Sequence, residues 1–274
     1  MDTLLKDPAS PALLPALEAN MVEFWKSYGR APGRELVEGG DLTRVMTGLP
    51  FPLLNGVFQA HLGAETLEPA IQTTRAAVDS WQAPLFWWVG PTAQPDDLGQ
   101  HLQAHGFAYA GDTPGMAVDL AALPGDQPTP PDFTIRPVED DATLEMWAQV
   151  AAIGTGFPTS ILEEFVQLEL GVGLGRGTAL RRYLGFQGGI PVASSAMVLD
   201  AGVAGIYAVA TLPEARRQGL GAAMTLAPLR EARAQGYKVG TLQASELGYP
   251  IYRRLGFQDV CRFALYFIEP ASRP

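Results

Sequence analysis

The chain has 274 residues, 47% of them hydrophobic, which is enough for one large or two modest packed domains without covalent staples. Its 19 basic residues against 29 acidic ones give a formal net charge of −10, a field that repels polyanions and argues against nucleic acid as the main partner. The single cysteine, Cys261, excludes an internal disulfide and any multi-cysteine metal site, and suits a reducing cytoplasm.

The opening stretch, MDTLLKDPASPALLPALEAN, carries an early acid and prolines where a signal peptide needs a basic start and an unbroken apolar core. No apolar run reaches the roughly 18 residues of a membrane span. A cytoplasmic chain without a membrane partner is expected. Further on, PLFWWVGP (84–91) reads as a strand, and its Phe-Trp-Trp run fits a buried strand better than an aromatic ligand platform. His101 and His105 are four apart and share a helix face, but no acidic partner completes a ligand set, so surface histidines and no metal centre are expected. The stretch AALPGDQPTPPDF (121–133), with four prolines, interrupts both periodicities. It places a linker at 123–131, between a domain at 1–122 and a second at 132–274.

The second half is more legible. FTIRPV (133–138) predicts a strand, and DDATLEMWAQVAAI (140–153) a helix with an acidic first turn. TSILEEFVQLEL (159–170) predicts a second helix with Thr159 or Ser160 as cap. Two strands follow within RRYLGFQGGIPVASSAMVLD (181–200), joined at Gly-Gly-Ile-Pro, and VAGIYAVATL (203–212) is a third, buried one. GAAMTLAPLREARAQG (221–236) is a helix ending near Gly236, in which Pro228 predicts a kink or an early break. KVGTLQAS is a strand, YPIYRRLGF a short helix closed by glycine, and VCRFALYFI a last strand. The order defines an α/β layout with a mixed sheet.

The turn EARRQGLG (214–221) stands between the buried strand and the long helix. Such a turn presents unpaired backbone N–H groups at the positive end of the helix dipole, and phosphate is their natural occupant. Gly219 and Gly221 remove the Cβ atoms that would hold a diphosphate away, while Arg216, Arg217 and Gln218 offer donors at the rim. A P-loop needs a lysine after its last glycine, and none follows Gly221; a dinucleotide fingerprint needs an earlier glycine and a third small residue where Met224 stands.

Arg216-x-x-Gly219-x-Gly221 after a strand, followed by SELGYPIYRRLGF, resembles the acetyl-CoA-binding core of the GNAT superfamily of N-acetyltransferases over roughly residues 132–270. The resemblance implies acetyl-CoA as co-substrate, its pyrophosphate on backbone groups of Arg217, Gln218, Gly219, Leu220, Gly221 and Ala222. It implies main-chain pairing of the pantetheine arm near Val209 and Thr211. Ser245 takes the place of an asparagine that contacts the cofactor in many members, and Tyr252 matches the tyrosine that acts as general acid at the cofactor sulfur. The implied acceptor is a primary amine of a small molecule; a protein N-terminus or lysine is the alternative acceptor, and an acyl-CoA-binding regulatory module without turnover the alternative to an enzyme. A glutamate that many members carry on the central strand is missing from AGIYAVATLP, and nothing in the sequence selects among Glu246, Asp200 and Glu169 as a base.

The first half parallels the second. His105-Gly106-Phe107 aligns with Leu255-Gly256-Phe257 at an offset of 150 residues, FPLLNGVFQAHL with the central strand, and TLEPAIQTTRAAVDSW with the long helix. The expected fold class is therefore α/β with two GNAT-like domains, each a mixed, mostly antiparallel sheet flanked by helices. The first copy reads HLGAET at the turn and Leu102 in the place of Tyr252, so it is expected to be degenerate, a scaffold or one wall of the acceptor pocket.

Overall fold

A computed structural model describes residues 4–125, 128–175 and 178–271; residues 126 and 127 of the expected linker lie outside the described residues. The first half runs α1 (Leu13–Gly29), β1 (Glu35–Glu38), β2 (Thr43–Met46), β3 (Gly56–Phe58), α2 (Ala64–Trp81), β4 (Leu85–Val89), α3 (Leu98–Ala104) and β5 (Ala108–Asp119). The second half runs β6 (Phe133–Pro137), α4 (Asp141–Thr155), α5 (Leu162–Val172), β7 (Leu180–Gln187), β8 (Ile190–Asp200), β9 (Val203–Thr211), α6 (Leu220–Ala234), β10 (Val239–Gln243), α7 (Tyr249–Arg254) and β11 (Gln258–Ile268).

All strands of the described residues join one 11-stranded sheet in the order β1-β2-β3-β4-β11-β5-β10-β9-β8-β7-β6. Among the described strands, only β3–β4 and β9–β10 pair in parallel. Each half gives its last strand to the other: β11 lies against β4, β5 lies against β10, and the two exchanged strands pair with each other. The internal repeat is visible in the backbone. In both halves a short helix closes on a glycine in the left-handed region, Gly106 at φ +85° and Gly256 at φ +95°, and a buried phenylalanine follows, Phe107 or Phe257. Trp87 and Trp88 are buried in β4, as the strand reading of Phe-Trp-Trp requires.

Side-chain alternation divides the sheet into two faces. Val45, Phe58, Trp88, Ala196, Val198 and Tyr207 face α1, α4 and α5 in one core that spans both halves. On the opposite face Val57 and Trp87 pack with α2 and α3, while Ile206, Leu242 and Ala244 pack with α6 and α7. Helix α1 belongs to the first half yet grips the second. Asn20 donates through Nδ2 to the carbonyls of Val198, Asp200 and Val203 and accepts the Tyr207 hydroxyl at 2.7 Å. Phe24 stacks on the Tyr207 ring, with centroids 4.4 Å apart.

Two sequence expectations are corrected here. The early break expected at Pro228 does not occur: helix α6 runs through the buried proline as one element, because Leu226, Leu229 and Ala232 are anchored in the core and outweigh one lost backbone bond. Neither Thr159 nor Ser160 caps α5 with its side chain; residues Thr159–Ile161 form a 3-10 turn that leads into it. Asp140, by contrast, makes the capping box with Thr143 that starts α4.

A buried polar group joins α1, α5 and β7. Glu169, with no exposed surface, accepts from Arg182 at 2.6 Å and from the Tyr28 hydroxyl at 2.7 Å, while Arg182 also bonds the Gly173 carbonyl and covers the Trp147 ring. Arg182→Met leaves the carboxylate without its cation and is expected to cost about 3–5 kcal/mol in denaturant unfolding, most of it regained by Arg182→Met with Glu169→Leu.

Glu18 on α1 accepts from the Thr92 hydroxyl at 2.5 Å through Oε2, and its Oε1 is buried without a partner among the described residues. Burial raises its pKa above the usual carboxylate value. A raised folded-state value means that its contribution is fully present below the unfolded pKa and is lost as pH rises through the folded one. Glu18→Gln keeps an acceptor for Thr92 and is expected to raise Tm at neutral pH while leaving it nearly unchanged near pH 4, as followed by thermal unfolding at the two pH values.

Candidate active site

Strands β8 and β9 stay in register from Asp200↔Val203 to Ala196↔Tyr207 and then slip to Ser194↔Ala210, so β9 carries one residue more than its partner. Ala208, inside this bulge, sits at φ +48°. Such a bulge bends and twists the strand that holds it. Strand β10 meets β9 only at Gly240↔Ala204 and Thr241↔Gly205; beyond that point β10 stays with β5, where Gln243 pairs with Gly115. A wedge therefore opens between residues 206–211 of β9 and the end of β10. The Leu212 amide bonds Val192 across β8, so by alternation the backbone of Val209 and Thr211 faces the wedge, where no strand pairs with it.

Beyond β9 the chain turns back toward α6. Arg217 at φ +62° and Gly219 at φ +80° bring it to the helix start, where the amides of Leu220, Gly221 and Ala222 have no acceptor inside the helix. A Cβ on Gly219 would stand 2.5 Å from the Pro128 carbonyl oxygen, so both its dihedral and its neighbour require glycine. At Gly221 a Cβ would meet only Ile251 Cδ1, at 3.8 Å. Packing of the protein thus sets no demand for glycine at 221, and the space before it is free for a ligand's approach.

The side chains of the turn divide their work. Arg216 donates from Nε to the Thr211 carbonyl at 3.2 Å and from Nη2 to Gly154 at 3.1 Å, bracing the turn against the end of α4. Gln218 accepts from Gln187 at 3.1 Å. The exposed Arg217, with Gln218, Gly219 and Ala222, lines an open pocket of about 580 Å³ whose other walls are Pro128–Pro130 of the linker and Ile251, Arg254 and Leu255 of the α7 segment. The linker wall and Arg254 escaped the sequence reading. The spacing of Ile251, Arg254 and Leu255, one helix face, was the available signal for the latter.

Tyr252 is buried on the α6 side of the sheet with its ring edge-on to Phe257, centroids 5.8 Å apart. Desolvation pushes its phenol up to about 12, so it holds its proton across the physiological range. Ser245 is exposed at the end of β10, and its hydroxyl accepts the Gly248 amide at 3.2 Å, shaping the turn into α7. Of the carboxylates considered as bases, Glu169 is held in the Arg182 pair, Asp200 lies at the hairpin end of β8 away from the wedge, and Glu246 is exposed beyond β10.

The first half has the same parallel pair, Gly56↔Phe86 and Val57↔Trp87, but no open wedge. Gln94 returns to the β3 side, donating to Ala60 at 2.7 Å and accepting from the Leu62 amide at 3.0 Å, and so closes the gap. Leu102, in the place equivalent to Tyr252, is fully buried. No group of three or more His, Cys, Asp or Glu side chains able to hold a metal ion occurs among the described residues, and no helix among them is long and apolar enough to cross a membrane.

Known proteins match the fold, and one family model covers the segment that holds the turn. A family model described as an acetyltransferase (GNAT) domain matches residues 200–260, the span from the β8–β9 hairpin to the start of β11. A GCN5-related N-acetyltransferase from Kribbella flavida superposes with a TM-score of 0.63 at 20% identity, over 93% of this chain and 96% of that one. A tandem GNAT protein from the clavulanic acid biosynthesis pathway superposes with a TM-score of 0.61 at 14% identity, over 99% and 91% of the two chains. A GCN5-related N-acetyltransferase from Sphaerobacter thermophilus gives 0.59 at 15% identity, over 98% and 95%. No curated protein matches this chain in sequence. The chain thus has the fold of these GCN5-related and tandem GNAT structures, and residues 200–260 match the acetyltransferase (GNAT) domain model. Its second half carries the matched acetyltransferase domain, and at these identities the whole-chain likeness is one of fold.

Proposed function

We propose that the protein is an N-acetyltransferase that transfers the acetyl group of acetyl-CoA to a primary amine of a small molecule, using the wedge of the second half as its only cofactor site. The observation that carries this reading is the open β9–β10 wedge leading straight into the arginine–glycine turn. The residues fit the cofactor: the free N-terminus of α6 and the space before Gly221 suit a diphosphate, and Arg217 and Arg254 bring positive charge to the adjoining pocket of an otherwise acidic protein. Backbone groups of Val209 and Thr211 suit an amide-bearing arm. We read residues 1–122 as a degenerate copy serving as scaffold, 123–131 as linker and 132–274 as the cofactor-binding domain; the closed β3–β4 gap supports that division of roles.

Acetyl-CoA, when bound, supplies an acetyl group activated as a thioester. The chain's part is to hold it, polarise it and manage protons. Amides facing the wedge can donate to the carbonyl oxygen as charge develops there. Tyr252 keeps its proton and can hydrogen-bond to the departing sulfur, an effect of about 10²–10⁴ in rate. An alkyl amine has a pKa near 10.4 and is almost wholly protonated at neutral pH, so it must lose a proton before attack. A protonated Tyr252 means that activity rises with pH through the amine's titration without a falling limb from this tyrosine below about pH 11.

Gly221→Val is expected to fold normally, since little of the protein stands near the new side chain, and to abolish acetyl-CoA binding in calorimetric titration. Normal binding by a folded variant would refute the site. Tyr252→Phe is expected to lower kcat at least about tenfold while leaving the Kd for acetyl-CoA nearly unchanged. Equal turnover by the two proteins would remove Tyr252 from the mechanism. Tight cofactor binding by the wild type with no acetylation across a broad amine panel would favour the regulatory-module alternative.

A further inference from the structure

Gln243 ends β10 at the wedge. Its neighbours Leu242 and Ala244 pack into the α6 core, so its side chain lies on the opposite face, the one shared by α1 and Tyr207. On the β9 side the last pair is Thr241↔Gly205, so Gln243 borders the gap instead of a paired strand. On its other side stands Gly115, whose missing side-chain position is filled by Cys261 Sγ and Phe263. The carboxamide nitrogen of Gln243 is buried and has no hydrogen-bond partner among the described residues. The nearby polar groups on this face do not serve it: the Tyr207 hydroxyl is given to Asn20, whose own amide makes three carbonyl bonds.

A buried amide donor left unpaired is costly, so a molecule that enters the wedge with an acceptor atom gains by pairing with it. The turn, the pocket and Tyr252 lie on the α6 face, so a cofactor bound there leaves Gln243 on the other face of the sheet. Resting on the acetyltransferase reading above, we infer that Gln243 orients the acceptor by donating its carboxamide N–H to an oxygen of the acceptor close to the attacking amine. The acceptor class is then a primary amine bearing a hydroxyl, carbonyl or carboxylate oxygen within a few bonds, in preference to a plain alkylamine. A site that spends a buried donor on a substrate oxygen discriminates against the analogue without it, which leaves the donor unpaired.

The test compares kcat/KM for oxygenated amines and alkylamines of matched length, such as 3-aminopropanol against butylamine and glycinamide against propylamine, in the wild type and in Gln243→Met, with acetyl-CoA affinity measured alongside. The expected result is a preference of roughly tenfold or more for the oxygenated member, reduced to within about twofold in Gln243→Met, with cofactor affinity unchanged. Gln243→Asn, which keeps the donor on a shorter arm, is expected to retain part of the preference. No preference in the wild type, an equal preference in both proteins, or a uniform slowing of every amine overturns the assignment; the last of these would place the amide on the acetyl carbonyl instead. Acetyl-CoA binding without acetylation of any oxygenated amine also overturns it. Failure to bind acetyl-CoA would overturn the acetyltransferase reading itself.

Discussion

The extra residue that β9 carries between Tyr207 and Ala210 limits how far two parallel strands can remain together. With β9 bent at Ala208 and β10 held straight by its ladder to β5, the two share only two pairs before they part. The backbone near Val209 and Thr211 that no strand pairs on the wedge side, the free start of α6 and the turn between them are then consecutive features of one strand-to-helix connection. The bulge is in turn held from behind, because Asn20 and Phe24 of α1 fix Tyr207 immediately before it. An opening in a sheet leaves backbone groups unmatched, and it persists only where the surrounding packing over-determines it.

That packing belongs to both halves. Helix α1, from the half whose own gap is closed, supplies much of the apolar cover over β8 and β9, and the exchanged strands β5 and β11 form the centre of the sheet. The first half is therefore needed for the packing of the second. Its Gln94 ladder and Leu102 show how such a half settles: the polar backbone of the gap is paired internally, and a core leucine fills the space where a tyrosine would sit.

Much of the second half was legible in the sequence because its signals are local. Asp140 and Thr143 at the start of α4, Gly188 and Gly189 between β7 and β8, and the Arg-Gly turn each act within a few residues. The repeat was legible because Gly106 and Gly256 need the same left-handed backbone and Phe107 and Phe257 fill equivalent core positions. What was not legible depends on distant partners. Nothing near Phe263 says that β11 pairs with β4, and nothing near Pro128 says that its carbonyl rests against Gly219. Gln243 looks like any polar strand residue until the divergence of β9 leaves it beside the gap. Pro228 misled in the other direction, since tertiary anchoring of α6 outweighs a local rule.

The strand exchange also orders events in time. During synthesis β4 has no permanent neighbour on one side until residues 258–268 have been made, about 170 positions after β4 itself. The first half therefore leaves the ribosome with an exposed strand edge, and neither half can complete its sheet ahead of the other. Loop closure over such separations is slow, so that edge stays without its final partner while the second half emerges. The same connectivity means that a cut in the linker yields two fragments that are each short of a strand and each complementary to the other.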